Sequence, residues 1–291
     1  LEYIVMPSRR GAAVTLSLLL VAPLTAAAVL TGAPPAEAAE GFQPGTEAFR
    51  VGGADRFETS AQAAELAYPD GATTAILANG WRAIDALAAS HFSWVEQAPI
   101  LLTERDALPD ATLDALDELG VTDVIVLGDE NSVSDAGLAE LEALGFDVVD
   151  VYAGADRYDT AAQLNDAQWQ DGEVFIARAD VAPGEIAADA LAAGPATQGR
   201  TMLLTAADDL PPVTAAALED DRPRYVYFLG RGITDRVKAQ VAEVLPDAEL
   251  VTIGGADRSE TSVLLAESGL VNLRRTPTGG SPWPTGTAST R

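Results

Sequence analysis

Val124-Ile125-Val126-Leu127, a helical pattern from Ser134 to Leu144, and Val148-Val149-Asp150-Val151 form the stretch that decides the fold. Short apolar runs without polar alternation mark strands covered on both faces of a parallel sheet. A helix between two such strands makes a crossover, and the crossover is right-handed. Upstream, Thr74-Ala75-Ile76-Leu77-Ala78 and Ile100-Leu101-Leu102 read as further strands. Phe57 to Tyr68, Ile84 to Val95 and Pro109 to Leu119 read as helices. Leu113, Leu116 and Leu119 share one helical face, and Pro109 suits a first turn, where its missing N–H costs nothing. Strand–helix alternation of this kind builds a doubly wound α/β sheet.

The block then repeats. Gly53-Ala54-Asp55-Arg56-Phe57-Glu58-Thr59 returns as Gly154-Ala155-Asp156-Arg157-Tyr158-Asp159-Thr160 and again as Gly255-Ala256-Asp257-Arg258-Ser259-Glu260-Thr261, at a constant step of 101 residues. Asp85-Ala86-Leu87-Ala88-Ala89 matches Asp189-Ala190-Leu191-Ala192-Ala193, and Leu127-Gly128 matches Leu229-Gly230. The second copy places strands near Val174 to Ala177, Met202 to Leu204, Tyr225 to Leu229 and Leu250 to Ile253. The third keeps only its turn and one helix, to about Leu270. A lone helix of that length is marginal in water, so it must dock on a neighbour. The expected fold is α/β, in tandem repeats with mainly parallel sheets: two full units and a partial third. The expected boundaries are a signal peptide at 1–38, a linker at 39–49, unit 1 at 50–151, unit 2 at 152–252, a partial third unit at 253–271 and a disordered Thr/Pro/Gly/Ser-rich tail at 272–291.

The N-terminal reading rests on Met6, on Arg9 and Arg10, on an uncharged apolar run from Gly11 to Leu30, and on Ala36-Glu37-Ala38, which offers small residues at a cleavage site. Leu1 to Val5 read as an extension ahead of Met6. Ser8-Arg9-Arg10 leaves the choice between general and twin-arginine export open. A membrane anchor is the competing reading of the same run. The mature chain is therefore expected to be secreted, with no stable membrane insertion.

Composition narrows the chemistry. The 291 residues hold 44 acidic and 18 basic side chains, a formal charge of −26. Such a surface repels nucleic acid and anionic headgroups, so no nucleic-acid partner is expected. The absence of cysteine excludes disulfides and thiolate chemistry, and a single histidine leaves no pair of His ligands for a metal. No cofactor, metal or catalytic residue is assigned. His91, beside Phe92 and Trp94, reads as a packed helix residue. Gly230-Arg231-Gly232-Ile233-Thr234-Asp235 is a degenerate dinucleotide fingerprint, read as a plain strand–helix turn. Asp85 and Asp189 read as carboxylates favoured at helix starts.

The repeated turn explains itself in part. Asp55, Asp156 and Asp257 stand where structural N-caps belong, with an acid three residues on, as in a capping box. The cap leaves the arginine unexplained, because a cation in the first helical turn opposes the helix dipole. Arg56, Arg157 and Arg258 are therefore candidates either for inter-unit contact or for an anionic ligand, whose oxygens suit a guanidinium fork.

Taken together, Gly52-Gly53-Ala54-Asp55-Arg56-Phe57, Ala78-Asn79-Gly80 running to Asp85-Ala86-Leu87-Ala88, Pro99-Ile100-Leu101-Leu102-Thr103 and Val124-Ile125-Val126-Leu127-Gly128 leading to Val133-Ser134 resemble the cell-wall-binding repeat 2 family, over about residues 50–270. The resemblance implies Rossmann-like extracellular modules, usually three in tandem around a pseudo-threefold axis. It implies non-covalent, non-catalytic anchoring to an anionic polymer of the Gram-positive cell wall, with Arg56, Arg157 and Arg258 in the signature turn. Two departures stand out: Leu-Gly-Gly is Leu127-Gly128-Asp129 and Leu229-Gly230-Arg231 here, and the third unit stops early. Self-association would then complete a three-unit arrangement. A wall hydrolase on the same scaffold and a truncated, non-functional remnant are the alternatives.

Overall fold

The computed structural model describes residues 3–7, 46–82, 84–168, 172–181, 187–197 and 200–270. The apolar run of the expected signal peptide and the tail at 272–291 lie outside them. The chain divides into two compact units, residues 1–52 and 53–291. The first contains an antiparallel ribbon in which β1 (Tyr3–Pro7) pairs with β2 (Thr46–Arg50).

The second unit carries the repeats. In the first repeat, α1 (Arg56–Ala67) leads into β3 (Thr74–Asn79). Helices α2 (Ile84–Ala88) and α3 (Ser90–Glu96) lead to β4 (Ile100–Thr103), and α4 (Asp110–Leu119) leads to β5 (Asp123–Leu127). Helix α5 (Asp135–Leu144) and β6 (Asp147–Tyr152) complete it. The second repeat runs α6 (Arg157–Gln168), β7 (Glu173–Arg178), α7 (Ala188–Ala193), β8 (Thr201–Thr205), α8 (Pro212–Asp221), β9 (Tyr225–Leu229), α9 (Asp235–Val244) and β10 (Glu249–Ile253). A third copy of the opening helix, α10 (Arg258–Glu267), follows. Each repeat forms one four-stranded, wholly parallel sheet, ordered β4-β3-β5-β6 and β8-β7-β9-β10. The fold is thus α/β and Rossmann-like, with two full sheets and the start of a third repeat.

The side-chain period of two divides each central strand between two cores. Ala75 and Leu77 of β3 face a cluster built with Ala61, Leu116 and Leu141 from α1, α4 and α5. Ile76 and Ala78 face the opposite way, into a cluster that also takes Phe175 and Ala177 of β7, Met202 and Leu204 of β8, and Leu265 of α10. One apolar core therefore runs through both repeats. The outer face of the second sheet has its own cluster, with Ile176, Phe228, Val237 and Val241.

Two local expectations need correction. The helix expected from Ile84 to Val95 is two helices, broken at Ala89, where ψ is 1° and the Ser90 hydroxyl donates to Leu87 O. Not every strand is covered on both faces: β6 is an edge strand, and its Val149 and Val151 are exposed.

Candidate functional site

In open parallel sheets, ligands sit beyond the carboxyl ends of the strands, where the chain leaves in opposite directions from neighbouring strands. Here that point falls between β3 and β5, and between β7 and β9. The loops that follow these strands define the candidate site in each repeat.

The signature turn feeds this edge. Asp55 Oδ1 accepts from Glu58 N (2.9 Å), Asp156 Oδ1 from Tyr158 N and Asp159 N (2.9 and 3.0 Å), and Asp257 Oδ1 from Ser259 N and Glu260 N (2.8 and 2.9 Å). Glu58, Asp159 and Glu260 reach back to accept from the N–H of Ala54, Ala155 and Ala256. Thr59, Thr160 and Thr261 accept from the preceding glycine N–H at 3.0–3.1 Å. The turn is thus a capping box with an added hydroxyl cap, and these N–H groups at each helix start are satisfied. Its glycine is required by closeness: a Cβ on Gly154 would lie 2.3 Å from Thr160 N.

The arginines take a role that local chemistry did not suggest. Arg56 Nη1 donates to Gly80 O (2.7 Å), and Arg157 Nη1 donates to Ala179 O (2.6 Å). Each acceptor lies just past the first strand of its own repeat, on the loop of the candidate site. The Arg157 charge also lowers the carboxyl of Asp85 in the first repeat, against its burial. Arg258 is exposed, and residues more than twenty positions after it lie outside the described residues.

Asp85 is the buried acid of the site. Burial pushes its carboxyl up to about 6, against the pull of Arg82 and Arg157, with Asp129 adding to the rise. It faces Gly128, where φ is +93° and a Cβ would lie 2.4 Å from Ser132 Oγ and 3.1 Å from Asp85 Oδ2. In the second repeat Gly230 (φ +78°) leaves even less room, with Asp189 Oδ2 2.0 Å from the place of a Cβ. The matched aspartate and glycine landmarks are therefore one feature, brought together at the strand ends. Asp129 is held low by its hydrogen bond with the Asn131 side chain, with Arg82 contributing.

Sequence reading passed over Trp81 and Arg82. Trp81 is 62% exposed, with the Arg56 guanidinium 4.0 Å from its ring centroid and Phe57 edge-on at 6.0 Å. His91 is buried, stacked on Trp94, with Nδ1 3.0 Å from the accepting Thr197 carbonyl of the second repeat. Among the described residues no three acidic or imidazole groups converge to hold a metal ion, and no helix is long and apolar enough to cross a membrane.

The sequence profile of cell wall binding domain 2 (CWB2) matches residues 50–137 and 152–237. The N-acetylmuramoyl-L-alanine amidase LytC of Bacillus subtilis (strain 168) is 28% identical over 220 residues, 75% of this chain and 42% of that protein. The amidase enhancer of the same organism is 30% identical over 210 residues, 71% of this chain and 27% of its own length. The structure of Cwp6 from Clostridium difficile superposes with a TM-score of 0.65 at 26% identity, covering 75% of this chain and 35% of Cwp6. The chain spans less than half the length of each of these proteins.

Proposed function

The chain belongs to the cell wall binding domain 2 family, and we propose that it is a secreted, non-catalytic module that holds itself to an anionic secondary polymer of the wall. The observation that carries this reading is the family profile met twice, in repeats that each present a turn arginine at the carboxyl edge of the sheet. The amidase name of LytC describes a protein of which this chain covers 42%, so its activity is not carried over. Local positive charge can act here despite the net −26, since exposed charges farther than roughly 8 Å are screened at physiological salt. The test is co-sedimentation of the purified protein with wall sacculi, before and after the secondary polymers are stripped. Loss of binding on stripped walls is expected; equal sedimentation with both would sink the polymer claim. A chelator arm reports whether divalent cations bridge carboxylates to the polymer.

The same reading extends to assembly. Ala61, Ala162 and Val263 occupy one position of the repeat. The first two are buried against their own sheets, whereas Val263 is 54% exposed. Ala64 and Asn165 are likewise buried, and Ala266 is exposed. Helix α10 thus presents the face with which its two counterparts meet a sheet. A further unit supplied by a second molecule is the proposed occupant. Sedimentation velocity at rising concentration checks this: Val263→Glu should shift the chain towards monomer, and a wild type that stays monomeric throughout argues against self-association.

A further inference from the structure

We propose that the turn after β3 is a sugar subsite carried by the first repeat and lacking in the second: a pyranose ring stacks on the indole of Trp81, and an anionic substituent of that sugar meets Arg82. The inference rests on the wall-binding reading and supplies the chemistry of one contact within it.

The turn is built to hold the indole still. Asn79 is buried, and its Nδ2 donates to Ser132 O (2.7 Å). Its Oδ1 accepts from the N–H of Trp81 (2.8 Å) and of Arg82 (3.0 Å). Gly80 N donates to Thr103 O (2.8 Å), and Gly80 O accepts from Arg56. A Cβ on Gly80 would lie 2.6 Å from the Phe57 ring, so the turn lies tight on α1. The Arg56 guanidinium lies over the indole and Phe57 meets it at a steep angle, yet Trp81 remains largely exposed, so indole surface is left for a partner. An indole is rigid, apolar over its face and polar at one edge, which suits a partner with an apolar face and a polar rim. The C–H face of a pyranose is such a partner.

The second repeat shows that the fold does not need this side chain. Gly80 and Ala179 are equivalent, since each accepts from its turn arginine. The next two residues are Trp81-Arg82 in the first repeat and Asp180-Val181 in the second. Asp180 is taken up by Arg178, whose Nε donates to its Oδ1 at 2.7 Å. Arg82, by contrast, is exposed and forms no ion pair within 4.0 Å among the described residues. Its charge also lowers the carboxyls of Asp85 and Asp129. A guanidinium fork beside an exposed aromatic face fits a sugar bearing a carboxylate or phosphate.

The experiment compares the full chain with Trp81→Ala, Trp81→Phe and, as a control on an exposed apolar residue elsewhere, Leu144→Ala. Each variant is first shown to melt cooperatively, then titrated onto intact and polymer-stripped walls. Trp81→Ala should weaken binding to intact walls on the order of tenfold, as truncation of an aromatic anchor does, while Trp81→Phe keeps most of the affinity and Leu144→Ala all of it. A difference lost on stripped walls places the sugar in the secondary polymer; one that persists places it in the glycan strands; either supports the subsite. A second readout uses defined probes: the Trp81 indole N–H resonance, assigned from the Trp81→Phe spectrum, should move with glucose 6-phosphate and less with glucose. Wild-type affinity in Trp81→Ala, or an equal shift with inorganic phosphate alone, overturns the subsite and leaves wall binding standing. A wild type that binds no wall at all refutes the wall-binding reading itself.

Discussion

Asp85 shows how a single side chain reports on its site. Its carboxyl titrates near 6 when folded, against 3.8 ordinarily, with burial as the main cause. The folded state therefore binds this proton more tightly than the unfolded state. The contribution favours folding fully below pH 3.8 and is lost as the pH rises through about 6. At about 1.4 kcal/mol per unit it amounts to roughly 3 kcal/mol. Melting curves of wild type and Asp85→Asn between pH 4 and pH 7 check this: wild type should lose stability relative to the variant as the pH rises, and parallel curves would contradict it. Gly230→Ala should cost more than about 1–3 kcal/mol, because it combines a left-handed φ with a collision against Asp189; a urea midpoint like that of wild type would deny the contact. The caps at Asp55, Asp156 and Asp257 were legible in the sequence because all their partners lie within six residues. The carbonyl partners of Arg56 and Arg157 were not, because they lie 24 and 22 residues away and meet the arginines only once the first strand is in place. Trp81 was passed over for a related reason: nothing in its neighbours' sequence says that a buried Asn79 will fix it outward.

At the scale of elements, the three copies of one helix occupy different surroundings. Helix α1 packs on α4 and β4 of its own repeat. Helix α6 packs on β8 and α8 behind it and on α2 and α3 of the first repeat. Among the described residues, helix α10 packs on α7 and also meets β10, both elements of the preceding repeat. A helix this short is marginal alone, so its order comes from that docking, through the buried Leu265. Leu265→Ala should destabilise the repeats by about 2–4 kcal/mol. A change confined to fraying of α10 by hydrogen exchange, with the urea midpoint unmoved, would show that α10 adds nothing to the common core. The strand–helix alternation was readable from apolar runs and helical spacing. The break at Ala89 was not, because an alanine-rich helix carries no stop signal; nor was the exposure of β6, because edge position is set by strand order.

For the whole molecule, one cluster of buried side chains is shared by both sheets and joins the two repeats. The repeat period announced two sheets, but the sharing of a core follows from which face of β3 and β7 turns inward. The net charge of −26 bears on partner choice at the same scale. The proposed attraction to an anionic polymer would come from local guanidinium groups against an unfavourable overall field, so it should be short-ranged and depend on added salt or divalent ions. Calorimetric titration of the full chain with purified secondary wall polymer, with polymer-free peptidoglycan as the parallel titrant, tests anchoring itself. Saturable heat with the polymer and none with peptidoglycan is the predicted result; no binding to the polymer, or equal binding to both, contradicts it.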